Sequence, residues 1–476
     1  MKARCPSVKQ ETSSLSDRTA VIEGEDRVTY GHLLTAADQV AEALRLKGVS
    51  RLHRVGLLCD DSIDYIIASL AVLSLSAVVV PVSPEQTEEE VETVINRIDV
   101  DFLVAETRLR QDERGEALES AGFLNKEFSI VKRIAVKRPN AEYFRINPAF
   151  IRFSSGTTGA SKGVVLSHEA ILARTEAADR GLRITSEDVV LWVLSMSYHF
   201  VVTILLYLRR GATIVLCGSR YPSSLIEGVK SHKGTVIYAS PFYYSLLSRT
   251  DALPGDALKR VRLAISTAMK LPDQTADTFF EKFGFELTEA YGIIEVGLPF
   301  IRLAEGRNKR GSVGRPLPGF QIALDNKDAE GIGEIRIKGA GMLDAYYDPW
   351  QGREDILADG WFKTGDLGKI DEDGFLYIVG RDKDVINFVG MKVFAQEVEA
   401  VLNLHPLVKE SLVYGAPHPQ YGQLPLAKIV LREENGVLDA NELRRFCYQR
   451  LARYKVPKDF EFVEQLFRTA SGKIKR

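Results

Sequence analysis

The stretch at residues 66–82, IIASLAVLSLSAVVVPV, does most to restrict the fold of this chain. Small residues in its first part suit a closely packed helix, and the β-branched run VVVPV suits a buried strand. A helix delivered straight into an apolar strand is the repeating unit of α/β architecture. The alternation recurs elsewhere. HLLTAADQVAEALRLKGV (32–49) has helical apolar spacing and ends at a glycine, and RVGLLCD (54–60) follows as a buried strand. TVIYAS (235–240) and VRLAIST (261–267) read the same way. These patterns predict an α/β fold with parallel-rich sheets.

At 476 residues the chain exceeds one ordinary core, so two or more domains are expected. From Gly311 the texture shifts to short glycine-bounded strands, GEIRIKG (333–339) and GFLYIVG (374–380), which suggests a small β-rich subdomain. Beyond it, AQEVEAVLN reads as a helix, VKESLVYGAP and LAKIVLRE as strands, and ANELRRFCYQRLARY as a last helix. The expected division is a large N-terminal domain, 1–380, and a small α+β C-terminal domain, 381–476. A formal net charge of −2 gives no reason to expect nucleic acid or an anionic membrane as partner. Cys5, Cys59, Cys217 and Cys447 show no CxxC spacing, which points to a reducing, cytoplasmic setting without a zinc site or disulfide framework. Residues 189–208, VVLWVLSMSYHFVVTILLYL, have the length of a membrane span, but Ser195, Ser197 and His199 interrupt the centre. A buried strand, a loop and a buried helix are expected there, with no integral membrane segment.

FSSGTTGASKGVVLSH (153–168) carries the chemistry. Ser161 stands five positions after Gly156 and Val164 five after Gly159, so neither glycine opens the common GxxxxGK[ST] phosphate loop. The residue types still suit phosphate: glycines let N–H groups converge, hydroxyls donate, and Lys162 adds compact positive charge.

With this loop the chain resembles the acyl-adenylate-forming superfamily of acyl-CoA synthetases, luciferases and nonribosomal adenylation domains, whose signature is [ST]SGTTGxPKG. Further segments are similar in order: VTYGHLL, VVVPVSP, YGIIEVG, SVGRPLPG, GEIRIKGAGMLDAYY, WFKTGDLG, GRDKDVINFVGMKVFAQEVE, LARYKVP and RTASGKIKR. The resemblance covers nearly the whole chain and is closest to a freestanding acyl-CoA ligase.

It implies an enzyme that joins a carboxylate to ATP, releases pyrophosphate, and passes the acyl-adenylate to a pantetheine thiol. Attack of a carboxylate on the α-phosphate brings like charges together, so cations and donors must surround it. By the resemblance, Ser154, Ser155, Gly156, Thr157, Thr158, Gly159, Ser161 and Lys162 clamp the β- and γ-phosphates. Lys473 bridges the carboxylate and the α-phosphate, and Glu295 is the carboxylate associated with Mg²⁺. Asp366 accepts the ribose hydroxyls and Arg381 supports the nucleotide. Tyr291, next to Gly292, offers a flat face to adenine, and Thr267, Ala268 and Met269 line its edge. His199 matches a histidine carried in the acyl-pocket segment of many relatives. Lys383 falls at the family's hinge and Gly390 near its thiol tunnel, so the C-terminal domain is expected to act as a mobile lid. Without the resemblance, TGD reads as a turn and Lys473 as a solvated tail lysine.

Two positions depart from the family pattern. Ile294 replaces the threonine of YGxTE, and losing one hydrogen bond to a charged group costs about 1.5–3 kcal/mol. Asn387 replaces a common lysine. The expected acid pocket comprises Tyr198, His199, Phe200, Val202, Ile294, Val296, Gly297 and Leu298, mostly apolar and without an aspartate for an amino-acid ammonium. The expected substrate is therefore a fatty or aryl acid. Coenzyme A is the expected acceptor, with an acyl carrier protein's phosphopantetheine as the alternative. A non-catalytic nucleotide-binding relative, or one that diverts the adenylate to another reaction, are the other readings.

Overall fold

The computed structural model describes residues 15–109, 115–133, 139–153, 162–218, 222–303, 306, 308–389, 391–432, 438–468 and 474–475. The chain forms two compact units. One comprises Met1–Gly156, Ala160–Phe320 and Gly339–Gly360; the other is built mainly from Gln321–Lys338 and Trp361–Arg476.

In the first unit the helix Tyr30–Leu46 buries Leu33, Ala36, Ala37, Val40, Ala41 and Leu44, a single stripe at helical spacing, and Thr29 caps its start. The helix Ile63–Ser74 has no polar face: Ile63 through Leu73 are all buried, so it lies inside the unit. It leads into the strand Val78–Val82, as the opening stretch of sequence predicts.

Two nine-stranded sheets organise the described part of this unit. One holds Val236–Ala239, Val189–Trp192, Thr213–Leu216, Thr19–Glu23 and Leu263–Ser266 in parallel, with the antiparallel hairpin Thr288–Ile293 and Gly297–Ile301 towards one edge. The other is parallel through Phe102–Glu106, Arg54–Leu58, Val78–Val82 and Pro148–Phe153, and antiparallel beyond. Pro81 is unusual in such an inner strand. The pairing towards Pro148–Phe153 is confined to Val79↔Phe150, which accommodates a residue that cannot donate.

Residues 189–208 form the expected buried strand, loop and buried helix, with one unforeseen feature, a π-helical turn inside the helix. The strand Val189–Trp192 is followed by the helix Met196–His199, a π-helical turn Phe200–Ile204 and the helix Leu205–Arg209. Trp192, Met196, Phe200, Ile204 and Leu208 are all buried, so the apolar run is core. Among the described residues no helix is long and apolar enough to cross a membrane.

In the second unit, Phe320–Asp325, Gly333–Gly339, Phe362–Ile370 and Leu376–Arg381 form a four-stranded sheet. A second sheet pairs Val408–His418 with Gly422–Leu431, and the hairpin Val385–Phe388/Met391–Phe394 extends it. Val398, Leu402, Leu443 and Cys447 of the helices Ala395–Leu402 and Ala440–Tyr448 pack on Val413 and Ile429. The last helix ends at Tyr448, earlier than its sequence pattern predicts, and the strand Asp459–Phe462 then adds in parallel to Gly422–Leu431.

Candidate active site

Parallel strands end on one side of a sheet, and the loops leaving those ends are where α/β proteins bind ligands. Leu263–Ser266 ends there, and Thr267, Ala268 and Met269 follow it directly. The Thr267 N–H donates to the Ala239 carbonyl at 3.1 Å, which ties the exit loop to the neighbouring strand. Ala268 has φ +71°, a left-handed conformation costly for a residue with a Cβ, and Met269 is exposed. The strand Thr288–Ile293 runs parallel to Leu263–Ser266 and brings Tyr291 and Gly292 to the same end. The Tyr291 ring lies 6.1 Å from that of Phe300 and is half-buried.

Ile293 pairs with Gly297, so Ile294, Glu295 and Val296 form the turn of a β-hairpin. Glu295 thus lies in the turn and outside the strand ladder. Its backbone is fixed, because the Leu343 N–H donates to the Glu295 carbonyl at 2.7 Å and the Val296 N–H to Ile293 at 3.1 Å. The Tyr346 hydroxyl donates to Glu295 Oε1 at 3.4 Å. Burial first, and then the Glu295 charge, push the Tyr346 phenol well above its ordinary value, so it stays a donor.

Lys162 completes this line of charge. It stands immediately before the strand Gly163–Ser167, where Val164 pairs with Tyr346. Its Nζ donates to Gln351 Oε1 at 2.9 Å and lies 4.4 Å from the Tyr346 ring centroid, a cation–π contact. Lysine, tyrosine and glutamate therefore form one contiguous array. The rest of the phosphate-loop candidates, Ser154 to Ser161, lie outside the described residues, as do Gly390 and Lys473.

The acid-pocket candidates divide by element. The Met196 N–H donates to Asp61 Oδ1 at 2.8 Å and anchors the short helix that carries Tyr198 and His199. His199 makes an edge contact with Trp192 at 6.4 Å, and Phe200 with Tyr65 at 5.7 Å. Val202 belongs to the π-helical turn, a feature common at functional sites. Val296 and Leu298 are buried. Gly297 has φ +104°; a Cβ there would sit 3.5 Å from Arg174 Cβ and 3.9 Å from Val202 Cγ1.

Two arginines that the sequence reading passed over lie among these groups. Arg152 Nη1 donates to the Tyr198 carbonyl. Arg174 is 2% exposed and donates to the carbonyls of Gly341 at 2.8 Å and Ile294 at 2.9 Å. Tyr346 and Asp61 were also missed. The available signal for Arg152 was a lone cation in the apolar strand PAFIRF, directly before the glycine-rich loop.

In the second unit, Asp366 and Arg381 face each other across paired strands, with Arg381 Nε 3.1 Å from Asp366 Oδ1. Asp366 is 4% exposed, and its N–H donates to the Thr364 hydroxyl at 3.1 Å. TGD is thus part of the nine-residue strand Phe362–Ile370, with a register shift after Leu367, and not the turn its composition suggests. Lys383 is exposed in the 3₁₀ turn Asp382–Asp384 just beyond. Asn387 is exposed, and its N–H donates to Gln423 Oε1 at 2.9 Å.

Among the described residues no cluster of three or more metal-ligating side chains exists. A lone, anchored carboxylate fits a metal that takes most of its ligands from phosphate and water, which is the habit of Mg²⁺.

Residues 8–347 match the family described as AMP-binding enzyme, and residues 397–473 match the AMP-binding enzyme C-terminal domain. The long-chain-fatty-acid–CoA ligase of Bacillus subtilis (strain 168) is 28% identical, over 97% of this chain and 91% of the relative. The 2-succinylbenzoate–CoA ligase of Bacillus licheniformis is 29% identical, over 98% of each. Among solved structures, O-succinylbenzoate coenzyme A synthetase from Bacillus subtilis, in complex with ATP and magnesium ion, superposes with a TM-score of 0.84 at 26% identity, over 98% of each chain.

Proposed function

The chain belongs to the AMP-binding enzyme family, and from that premise we propose a role for each element of the site in an AMP-forming acid–thiol ligase. The enzyme activates a carboxylic acid with ATP, releases pyrophosphate, and transfers the acyl group to coenzyme A, as the relatives named CoA ligases support. A fatty or aryl acid is the substrate class, in keeping with the acids in those names.

The observation that carries the residue assignments is the Lys162–Tyr346–Glu295 array. Lys162 neutralises the phosphates that leave, together with the loop from Ser154 to Ser161. Glu295 holds Mg²⁺, which supplies positive charge to the phosphate oxygens. Tyr346 fixes the Glu295 carboxylate and lends its ring to the lysine cation. Thr267, Ala268, Met269, Tyr291 and Gly292 receive adenine at the sheet's C-terminal end. Asp366 accepts the ribose hydroxyls, with Arg381 holding its carboxylate in place. Lys473 compensates the charge as the acid's carboxylate oxygen bonds to the α-phosphorus and pyrophosphate departs. The thiol sulfur then attacks the acyl carbonyl, the thiol proton is lost, and AMP leaves.

Tyr198, His199, Phe200, Val202, Ile294, Val296, Gly297 and Leu298 bound the acid. Residues 381–476 act as a lid that turns near Lys383 and brings Gly390 to the thiol's path. A cytoplasmic setting is supported by Cys59, Cys217 and Cys447, which are buried and, among the described residues, not joined in disulfides.

A panel of carboxylic acids, assayed for pyrophosphate release with and without coenzyme A, tests the assignment. The expected products are AMP and acyl-CoA in equal amounts. Formation of ADP, or of AMP without thioester for every acid, would overturn it.

A further inference from the structure

Arg152 and Arg174 bring two guanidinium groups against the segments assigned to the acid. Arg152 projects from the strand Pro148–Phe153, donates through Nη1 to the Tyr198 carbonyl, and lies 5.6 Å from the Tyr198 ring centroid. Its Nε is buried without a hydrogen-bond partner among the described residues, and so is Nη2 of Arg174. Neither guanidinium has a carboxylate at ion-pair distance among the described residues. Glu295 acts on both through space, and Asp344 acts on Arg174. Burial pulls Arg152 down to about 10 and Arg174 to about 9, so each still carries its charge at neutral pH.

The two differ in what they are committed to. Arg174 is spent on the Gly341 and Ile294 carbonyls and positions the Glu295 hairpin. Arg152 holds a single carbonyl, leans on the pocket tyrosine, and keeps a desolvated N–H edge unmatched. Arg152 as a whole is partly buried, but an Nε–H taken out of water without an acceptor is costly, and the guanidinium fork suits a planar oxyanion. The missing anion is therefore supplied by a ligand.

Building on the ligase reading above, we propose that Arg152 is a specificity-determining residue: it receives a second anionic group, carboxylate or sulfonate, carried by the acid in addition to the carboxylate that is adenylated. Such an acid would place its far end beside Tyr198, where a purely apolar tail would leave the guanidinium unpaired, so the fatty or aryl class proposed above narrows to its members with an anionic far end. The rival source of an anion is ATP itself, because the strand bearing Arg152 runs into the phosphate loop.

The test uses the full chain and acid pairs matched in length: succinate against butyrate, glutarate against pentanoate, and terephthalate against 4-methylbenzoate. The wild type is expected to favour the dianionic member by about 10²–10³ in kcat/KM, as desolvated charge pairs do. R152Q should lose that preference while KM for ATP and the melting temperature stay unchanged, and R152K should restore part of it. A raised KM for ATP in R152Q with an unaltered acid preference would assign Arg152 to the phosphates and overturn the proposal. A wild type that prefers the neutral-tailed acids would overturn it as well. If no acid releases pyrophosphate, the ligase reading fails and equilibrium binding decides this inference separately. The dianion must then bind the wild type about tenfold or more tighter than its partner, and lose that margin in R152Q; equal binding sinks it.

Discussion

Tyr346 touches both charges that flank it, the Glu295 carboxylate through its hydroxyl and the Lys162 ammonium through its ring. Tyr346→Phe keeps the ring and removes only the hydroxyl. A hydrogen bond to a charged group is worth about 1.5–3 kcal/mol, so kcat/KM should fall by about ten- to a hundredfold. The Mg²⁺ concentration needed for half-maximal pyrophosphate release should rise with it. An unchanged Mg²⁺ dependence would show that the hydroxyl does not position the carboxylate. Asp61 tests a different kind of residue, a partly buried acid that anchors the helix Met196–His199. Desolvation, reinforced by Asp60, Glu85 and Glu23, raises its pKa from 3.8 to about 7, against the opposing Met196 N–H. The folded state thus holds a proton that the unfolded chain releases at lower pH, and this group's contribution to stability declines as pH rises from about 4 to about 7. Asp61→Asn keeps an acceptor for the Met196 N–H and removes the charge. Its melting temperature should exceed that of the wild type at pH 8, with the gap closing towards pH 4. A gap independent of pH would rule out titration of Asp61 as the cause.

Elements place these groups by backbone geometry that single residues do not announce. Gly341 has φ +69°, and a Cβ there would stand 2.3 Å from the Arg174 backbone nitrogen. Gly341→Ala forces strain and overpacking together, with an expected loss of about 1–3 kcal/mol in a denaturant melt. A melt identical to wild type would mean that the segment carrying Tyr346 shifts freely against the helix His168–Leu182, which carries Arg174. The π-helical turn Phe200–Ile204 belongs to the same scale. Sequence periodicity shows only an apolar run there: residues on nearly every side of the helix are buried, so there is no polar face whose phase an extra residue would shift. TGD illustrates the converse. Glycine and aspartate suggest a turn by composition, yet Asp366 sits inside a strand because its cross-strand partner Arg381 and the Thr364 hydroxyl hold it there.

At the scale of the whole molecule, the two half-reactions make different demands on one bound acyl group, and the hinge proposed at Lys383 is the device that would meet both. Lys383 is exposed in a short 3₁₀ turn, a place where a backbone change costs little packing. Lys383→Pro fixes φ and should slow thioester formation much more than ATP–pyrophosphate exchange. Equal losses in both assays would remove the two-arrangement account for this chain. The contact pattern divides the chain into a larger and a smaller unit, and Gln321–Lys338 clusters with Trp361–Arg476 although Gly339–Gly360 belongs to the larger one. Such a return of the chain leaves no mark in local composition.

The sequence by itself determined the α/β class, the alternation of helix and strand, and the family, because periodicity and ordered motifs are local properties of the chain. Through the resemblance it also singled out Glu295, Lys162, Asp366 and Arg381 as candidates for the roles proposed above. What it did not contain was which charges meet. Arg152, Arg174, Asp61 and Tyr346 are far from the motifs they serve in chain order, or unremarkable within them. Only the tertiary structure decided that two arginines, each with a nitrogen buried and unmatched among the described residues, lie beside segments that read as apolar in the sequence. The physical reason is that charge pairing and burial depend on distances across strands and helices, which no run of adjacent residues encodes.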